Sequence, residues 1–426
     1  MTQLQRKTIG DGVYFNAIRD ARFKTGRITA ALLLPLKKET ASANAILPYL
    51  LRRSCEKYPD FTSMNKRLAE LYGASLQADV QKLGEVQMLL ISAVGIDDRY
   101  ALEGETISEQ LTELLCEALF HPALENGGFC KENIEQEKRQ LIEQIDSDFN
   151  DKRIFAKQRC EELMCKDEAY GVNRFGTRKQ VEALTARDIL EAWHRALKTA
   201  RIELMMLGDS DSEKACAVFK KAFSSIERAP EKVSTEAKAG VENVRRENDA
   251  MEVAQAKLVM GFRTPVAVPG DKVMAMRLLC ALYGGTPHAK LFLNVREKMS
   301  LCYYCASRYE RFKGIMLVES GVEQKNIEKA EKEILNQLKE IKKGNITDEE
   351  LKAAKMSVQN SFNTTADYLS GMEQWYLSQV FDDSMVTPQQ GAEEIEKVSK
   401  EEITELAKSI ELDTIYTLTG NGEAEA

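Results

Sequence analysis

Residues 291–321, LFLNVREKMSLCYYCASRYERFKGIMLVESG, bring together several side chains that are capable of chemistry. Cys302 and Cys305 have the CxxC spacing of thiol redox centres and of half a zinc site. A redox CxxC normally begins a helix, whose N-terminal dipole lowers the thiol pKa, whereas LCYYCASRY has the composition of a β-strand whose side chains alternate between two faces. The pattern therefore favours two strand cysteines over a redox or zinc pair.

The same stretch holds Arg296 and, seven residues later, Tyr303. Arg296 belongs to an Arg-Glu-Lys run that ends a predicted helix, and Tyr303 lies in the strand that follows. A turn is predicted at Lys313–Gly314, before a second strand. From the residues alone, the simpler interpretation is a solvated helix end and a strand tyrosine.

Candidate metal ligands elsewhere are scattered. None of the three histidines has another at the helical i, i+4 spacing of a metal motif: His121, His194 and His288. An acidic group around Glu161, Glu162 and Asp167 could hold a hard cation in an enzyme of another type. A solvated helix face explains these three carboxylates more simply.

Composition narrows the class of protein. At 426 residues the chain is long enough for two or three domains, and 43% hydrophobic with 30% charged residues is ordinary for a globular enzyme or subunit. A net charge of −8 with interspersed signs offers no basic stripe, so we expect no nucleic-acid partner. No apolar run approaches the ~20 residues that span a bilayer, and nine cysteines fit reduced thiols. We therefore expect a cytoplasmic chain without a membrane partner.

One pattern occurs in each half of the chain. Residues 184–211 and 398–423 both carry a Ser/Thr N-cap, an amphipathic helix, a strand and a glycine. Thr185 and Ser399 are the predicted caps, each with an acid three residues later as a capping box. The hairpin pattern of residues 70–95 is also repeated in the stretch that begins at residue 291. The chain is therefore predicted to be a duplicated domain.

The repeat predicts an N-terminal domain at 1–225, a linker at 226–249 and a homologous C-terminal domain at 250–426. The proposed linker is polar, contains Pro230 and lacks apolar periodicity. Within each half, strands, a hairpin and long helices predict an α+β fold in which each sheet carries helices on one face.

With these features, the chain resembles the insulinase or pitrilysin-like zinc metallopeptidases, which include the mitochondrial processing peptidases. The resemblance covers nearly the whole chain, because the family unit is also two homologous α+β domains joined by a linker. GGTPHAKLFLNVREKMSLCYY is similar to the family's second-domain signature. YPDFTSMNKRLAELYGASLQAD resembles the stretch after the metal motif, and FHPALENGGFCKENIEQEKRQLIEQI resembles the segment with the distal glutamate.

The resemblance implies that this chain has lost the metal motif. Active members carry a helical His-x-x-Glu-His, with two zinc ligands and a general base. The corresponding residues here are LPYLL, so Leu47 and Leu51 replace the ligands and Leu50 replaces the base. Glu143 aligns with the third ligand as a vestige. We therefore expect no metal or cofactor in this chain and no peptide hydrolysis by it alone.

The resemblance also gives Arg296 and Tyr303 a role. In the family, an Arg and a Tyr with this spacing reach from the second domain toward a zinc site, where they stabilise the substrate and the oxyanion. The chain is then expected to be a non-catalytic subunit. Its partner would be a homologous chain with an intact His-x-x-Glu-His and a bound zinc ion, and the two would enclose a peptide in a processing chamber.

A second interpretation from another class stays open. The chain could be a catalytically inert peptide-binding or scaffold protein that pairs with itself as a homodimer. ILPYLL would then line a peptide chamber or pack in the core. Some bacterial chains of this lineage are named for an association with elongation factor P modification, which nothing in these residues derives.

Overall fold

The computed structural model describes residues 3–382 and 384–420, and in this part of the chain strands of two main sheets alternate with helices. In chain order the strands are β1 (Gln3–Gly10), β2 (Val13–Arg19), β3 (Thr25–Pro35), β4 (Ser75–Leu83), β5 (Val86–Ile96), β6 (Leu124–Glu125), β7 (Gly128–Phe129), β8 (Arg201–Gly208), β9 (Arg245–Ala250), β10 (Ala256–Arg263), β11 (Cys302–Glu310), β12 (Ile315–Val322) and β13 (Glu411–Thr419).

The α-helices in the same order are α1 (Ala41–Ala45), α2 (Leu47–Leu51), α3 (Phe61–Glu70), α4 (Ile107–Phe120), α5 (Lys131–Asn150), α6 (Lys152–Met164), α7 (Arg178–Ala183), α8 (Ala186–Thr199), α9 (Ser212–Phe223), α10 (Val273–Cys280), α11 (Ile327–Lys342), α12 (Asp348–Thr365), α13 (Leu369–Leu377), α14 (Pro388–Lys397) and α15 (Lys400–Lys408). Two π-helical segments, Ala281–Gly285 and Leu291–Lys298, follow α10.

The first sheet has the order β1-β2-β8-β3-β5-β4, with β2 and β8 parallel and the other neighbours antiparallel. Side chains of β3 alternate between its two faces, as a strand requires. Ile28, Ala30, Leu32 and Leu34 join a core shared with α4, α8 and α9. One face of the sheet therefore carries the main helix layer.

The second sheet has the order β11-β12-β10-β13-β9, in which β9 and β13 are parallel. The first sheet contains the matching order β4-β5-β3-β8-β2, with the same strand directions. The hairpin β4–β5 thus corresponds to β11–β12, and β8 corresponds to β13. This is the correspondence that the internal repeat predicts, and the α+β fold class is confirmed.

The chain forms two compact units that are discontinuous in sequence. Within the described residues, unit 1 contains 3–146, 172–234 and 366–380, and unit 2 contains 147–171, 235–365, 381–382 and 384–420. The predicted domains, 1–225 and 250–426, were continuous ranges, and residues 421–426 of the second lie outside the described residues. Each half of the chain therefore contributes one segment to the other half's unit.

The segment exchanged into unit 1 carries α13, which contacts β3 and β8. Its Glu373 accepts a hydrogen bond from Thr29 and pairs with Arg27, whose Nε lies 2.7 Å from Glu373 Oε2. Thr29 lies between Ile28 and Ala30 in β3 and so points away from the main helix layer. Helix α13 thus covers the second face of this sheet.

Unit 2 is covered in the same way by α6. Ala156, Cys160 and Met164 of this helix form a core with strand residues that include Val259 and Leu317. At Gly261 a Cβ atom would lie 2.7 Å from the Met164 sulfur, so glycine allows the helix to approach β10 closely. The sequence prediction placed helices on one face of each sheet, and a single helix also covers each second face.

The predicted linker, 226–249, ends earlier in the structure. Residues from Arg245 onward form β9, which pairs with β13 at the edge of the second sheet. Nearly every residue of β9 is exposed, so the strand has no apolar alternation by which it could be recognised. The predicted capping box at Thr185 is confirmed, whereas the Ser399 side chain caps α15 and its backbone N–H does not donate the reciprocal bond to the Glu402 carboxylate.

Candidate functional site

The residues that replace the metal motif form the short helix α2 in unit 1. Pro48 lies in its first turn, where the missing N–H costs no helical hydrogen bond. Leu47, Leu50 and Leu51 are 2%, 4% and 2% exposed and belong to the main core of this unit. These side chains pack, and none of them carries an atom that could hold zinc or accept a proton.

A charged pair next to α2 was missed by the sequence analysis. Arg53 Nη1 lies 2.6 Å from Oε1 of Glu137 on α5, and Arg53 Nη2 donates to Gln136 at 2.9 Å. Glu137 is only 1% exposed, and its Oε2 has no hydrogen-bond partner among the residues that the structure describes. Glu137 lies between Ile134 and Leu141 on the buried stripe of α5, and this helical spacing is the feature of the sequence from which its burial could have been predicted. Arg53 thus supplies the positive charge for this carboxylate.

Glu143, the predicted vestigial ligand, is exposed on the same helix. Glu161 is buried and accepts a hydrogen bond from Tyr170 at 3.2 Å, whereas Glu162 faces Arg159 at 3.4 Å. Across residues 3–382 and 384–420, no three His, Cys, Asp or Glu side chains converge as a metal site would require. The side chains at the family's metal position therefore do not fit zinc, and Glu161 and Glu162 each face a neighbouring side chain of the protein.

Arg296 lies in the π-helical segment Leu291–Lys298, which packs against β11 in unit 2. Its guanidinium lies 4.5 Å from the ring centre of Phe292, and its Nε is 3.6 Å from a carboxylate oxygen of Glu297. The side chain is 40% exposed. Among the described residues, Arg296 is therefore held by one ring and one weak ion pair, which leaves most of its N–H donors available.

Tyr303 lies at a β-bulge in the edge strand β11. Cys302 pairs with Val322 and Tyr304 pairs with Gly321, so one extra residue of β11 is inserted between two consecutive positions of β12. Tyr303 is 67% exposed, and no hydrogen bond to its hydroxyl occurs within the described part of the chain. The bulge turns this phenol toward solvent.

The neighbouring Tyr304 has a different environment. The Arg153 guanidinium lies 4.5 Å from its ring centre and also pairs with Glu319 at 2.9 Å. Burial raises the pKa of Tyr304 to about 12. Tyr304 therefore packs within unit 2, whereas Tyr303, the extra residue of the bulge, is exposed.

The bulge changes the prediction for the two cysteines. Cys305 pairs with Ser320, two positions from Val322, so Cys302 and Cys305 lie on the same face of β11. Regular alternation would have separated two residues three positions apart. The extra residue of the bulge brings Cys302 and Cys305 to the same face, because it adds one position to β11 and none to β12. The strand prediction is confirmed, but its argument against a thiol pair does not hold.

Comparison with known proteins identifies several relatives. Residues 183–358 match the family model described as "Peptidase M16 inactive domain". The "Probable inactive metalloprotease YmfF" of Bacillus subtilis (strain 168) is 31% identical over 409 residues, which cover 96% of each chain.

No helix in the described ranges has the length and apolar character needed to cross a membrane.

Two solved structures share the fold. A conserved protein from Enterococcus faecalis V583 has a TM-score of 0.91 and 26% identity, with 99% of this chain and 100% of that chain covered. A chain of Complex III2 from Candida albicans has a TM-score of 0.72 and 14% identity, with 98% and 96% covered. The similarity extends over the full length of both structures.

Proposed function

The chain belongs to the M16 family of insulinase-like metallopeptidases, as a member without the metal motif, and we propose that it is a non-catalytic subunit of a peptide-processing pair. Its second half would present Arg296 and Tyr303 to a peptide that a homologous, zinc-bearing subunit holds. The observation that carries this proposal is the exposed phenol of Tyr303, 67% accessible between two buried cysteines. Its hydroxyl has no hydrogen-bond partner within the described ranges, so its O–H is available to donate to a ligand.

The chemistry supports a role in stabilising the transition state. Attack of water on a peptide carbonyl places negative charge on the carbonyl oxygen. The phenol O–H of Tyr303 and the guanidinium of Arg296 can donate hydrogen bonds to such an oxygen or to neighbouring substrate carbonyls. Both donors lie in one helix–strand pair of unit 2, and few groups of this chain compete for them.

A partner is needed because this chain has lost the donors for zinc. Leu47, Leu50 and Leu51 occupy the motif, and the nearby Glu137 already has Arg53 as its cation. The Candida albicans relative in fold is a component of a multi-chain complex, which agrees with a subunit role. A homologous chain with intact His-x-x-Glu-His is the partner that supplies the missing half of the chemistry.

The test mixes purified chain with the homologous His-x-x-Glu-His protein of the same organism and measures kcat on a flexible peptide. Tyr303→Phe removes one O–H and should lower kcat by the ~10²- to 10³-fold that a lost oxyanion donor costs. Tyr304→Phe is the matched control, since its ring stacks on Arg153, and it should leave kcat unchanged. Pairing of each variant is checked by sedimentation. Full activity of a correctly paired Tyr303→Phe complex would contradict the proposed role.

A scaffold function is the second candidate, and the edge strand β4 favours it. One side of β4 pairs with β5, and its other side has no strand neighbour in the described ranges. An extended peptide could add to this edge through main-chain hydrogen bonds. The test measures binding of a fluorescent peptide to the chain alone and repeats it with a peptide whose alternate amides are N-methylated. Binding that N-methylation abolishes, together with no peptidase activity in any mixture, would favour the inert peptide-binding homodimer.

A further inference from the structure

The two cysteines of the bulge form a pair with a shared environment. Cys302 and Cys305 lie on one face of β11, with Ser320 of β12 opposite Cys305. Their exposed fractions are 9% and 4%, so both are shielded, and Cys302 lies nearer the surface. The residues around Cys302 include the half-exposed Arg296. Cys302 is therefore the more accessible of the two to a small oxidant.

The electrostatics of the two sulfurs differ. The adjacent Cys305 thiol, which donates a hydrogen bond, and the positive charge of Arg296 lower the pKa of Cys302. The same hydrogen bond and burial raise the pKa of Cys305. One sulfur is thus suited to be a thiolate nucleophile, and its neighbour is a neutral thiol within hydrogen-bonding reach.

Other cysteines of the chain lack these features. Burial raises the pKa of Cys116 to about 12 and that of Cys280 to about 11, which makes them poor nucleophiles near neutral pH. Cys130 is half-exposed and has no second cysteine at CxxC spacing. The combination of a paired thiol, partial access and a stabilised thiolate occurs at Cys302.

We propose that Cys302 and Cys305 form a reversible disulfide that responds to hydrogen peroxide and fixes the bulge carrying Tyr303. The Cys302 thiolate attacks one peroxide oxygen, an S–O bond forms, the O–O bond breaks, and the departing hydroxide takes a proton to leave as water. The Cys305 sulfur then attacks the sulfenic sulfur, the S–S bond forms, and the hydroxyl leaves as water with the thiol proton. Two thiols and one peroxide thus give one disulfide and two water molecules, and a dithiol reductant reverses the change.

The consequence for the surface follows from the position of the pair. A bond between Cys302 and Cys305 closes a ring that contains Tyr303 and Tyr304. It also removes the thiolate next to Arg296. Oxidation would therefore fix the conformation of the bulge and change the charge beside it. The proposal concerns the thiols themselves and does not rest on a peptidase role for this chain.

The experiment treats the reduced full-length chain with hydrogen peroxide, alkylates remaining thiols and digests with trypsin. Cleavage after Lys298 and Arg308 yields residues 299–308, a peptide that contains both cysteines. We expect this peptide to lose two hydrogens in mass and to become resistant to alkylation, while Cys130 stays alkylated. Dithiothreitol should restore both thiols.

Two variants keep the test decisive, with circular dichroism to confirm their folding. Cys305→Ser should accumulate a sulfenic acid at Cys302 that dimedone traps, whereas Cys302→Ser should leave Cys305 reduced. The proposal is overturned if the peptide 299–308 stays reduced at peroxide doses that oxidise Cys130. It is equally overturned if Cys302 forms only sulfinic acid or mixed disulfides without bonding to Cys305.

Discussion

Replacing Arg27 with methionine tests how α13 is held on unit 1. The Arg27 side chain is 13% exposed and pairs with Glu373, which is 6% exposed. Arg27 also donates to Gln77 at 2.7 Å and to Ser92 at 2.9 Å. Burial raises the pKa of Glu373 above its ordinary value, and Arg27 opposes that rise. Within the described residues, Arg27→Met leaves this carboxylate with Thr29 as its remaining hydrogen-bond donor.

The magnitude follows from the proton that the variant can take up. An unfolded glutamate releases its proton near pH 4.3, and holding it costs about 1.36 kcal/mol per pH unit above that value. The loss of stability is therefore bounded by about 4.4 kcal/mol near pH 7.5 and about 1.6 kcal/mol near pH 5.5. Loss of one partner from a buried ion pair costs a similar ~3–5 kcal/mol. Since the folded variant binds a proton that the unfolded chain releases, its stability falls as pH rises.

The assay is urea unfolding at the two pH values, followed by tryptophan fluorescence. Trp193 and Trp375, the chain's two tryptophans, both lie in unit 1, so the signal reports this unit. Glu373→Gln is the matched control, because its amide oxygen can still accept from Thr29 and Arg27 and the side chain does not titrate. It should cost about 1 kcal/mol at either pH. A loss for Arg27→Met that is equal at the two pH values, or no greater than that of Glu373→Gln, would refute the reasoning.

Three further predictions concern the metal motif and the exchanged segments. The purified chain should contain no stoichiometric zinc by elemental analysis and cleave no peptide alone, because leucines occupy the motif; one tightly bound zinc per chain would contradict this. Cutting the chain within 227–244 should give two halves that are unfolded alone, as measured by circular dichroism, because each half lacks the helix that covers the second face of its sheet. The two halves should fold when they are co-expressed. Two independently folded halves would show that the exchanged helices are dispensable. Gly261→Val should lower the free energy of unfolding by about 1–3 kcal/mol, because the added side chain overpacks against Met164. Adding Met164→Ala to this variant should recover part of the lost stability. An unchanged thermal melt of Gly261→Val would mean that α6 can move away at little cost.

Much of the fold could be predicted because its signals are local. The turn at Lys313–Gly314 needs a residue with positive φ, and Gly314 has φ 64°. The capping box at Thr185 depends on residues three apart, and the repeated order of elements is visible along the chain. Strand β9 was missed because an exposed edge strand has no buried face to impose alternation on its sequence.

Some features of the candidate site could also be predicted from the sequence, and others could not. Leu47, Leu50 and Leu51 exclude zinc ligation by their atoms alone, whatever the fold. The pairing of Arg53 with Glu137 joins residues 84 positions apart, so no local pattern announces it. The roles of Arg296 and Tyr303 stay predictions, although the structure adds the exposure of the phenol to their types and spacing.

By itself, the sequence determined the repeated order of elements, the capping box at Thr185, the turn at Gly314 and the loss of ligands from the metal motif, since these depend on side-chain chemistry and on neighbours within a turn or two. Only the tertiary structure decided which face each residue of β11 presents and which sheet α6 and α13 cover. The bulge depends on the register of β11 against β12, and a shift of one residue reverses every side chain after it. The exchanged helices depend on packing between residues more than 90 positions apart, such as Met164 against Gly261. Such contacts are selected by the free energy of burying both surfaces together, which no short segment of the chain contains.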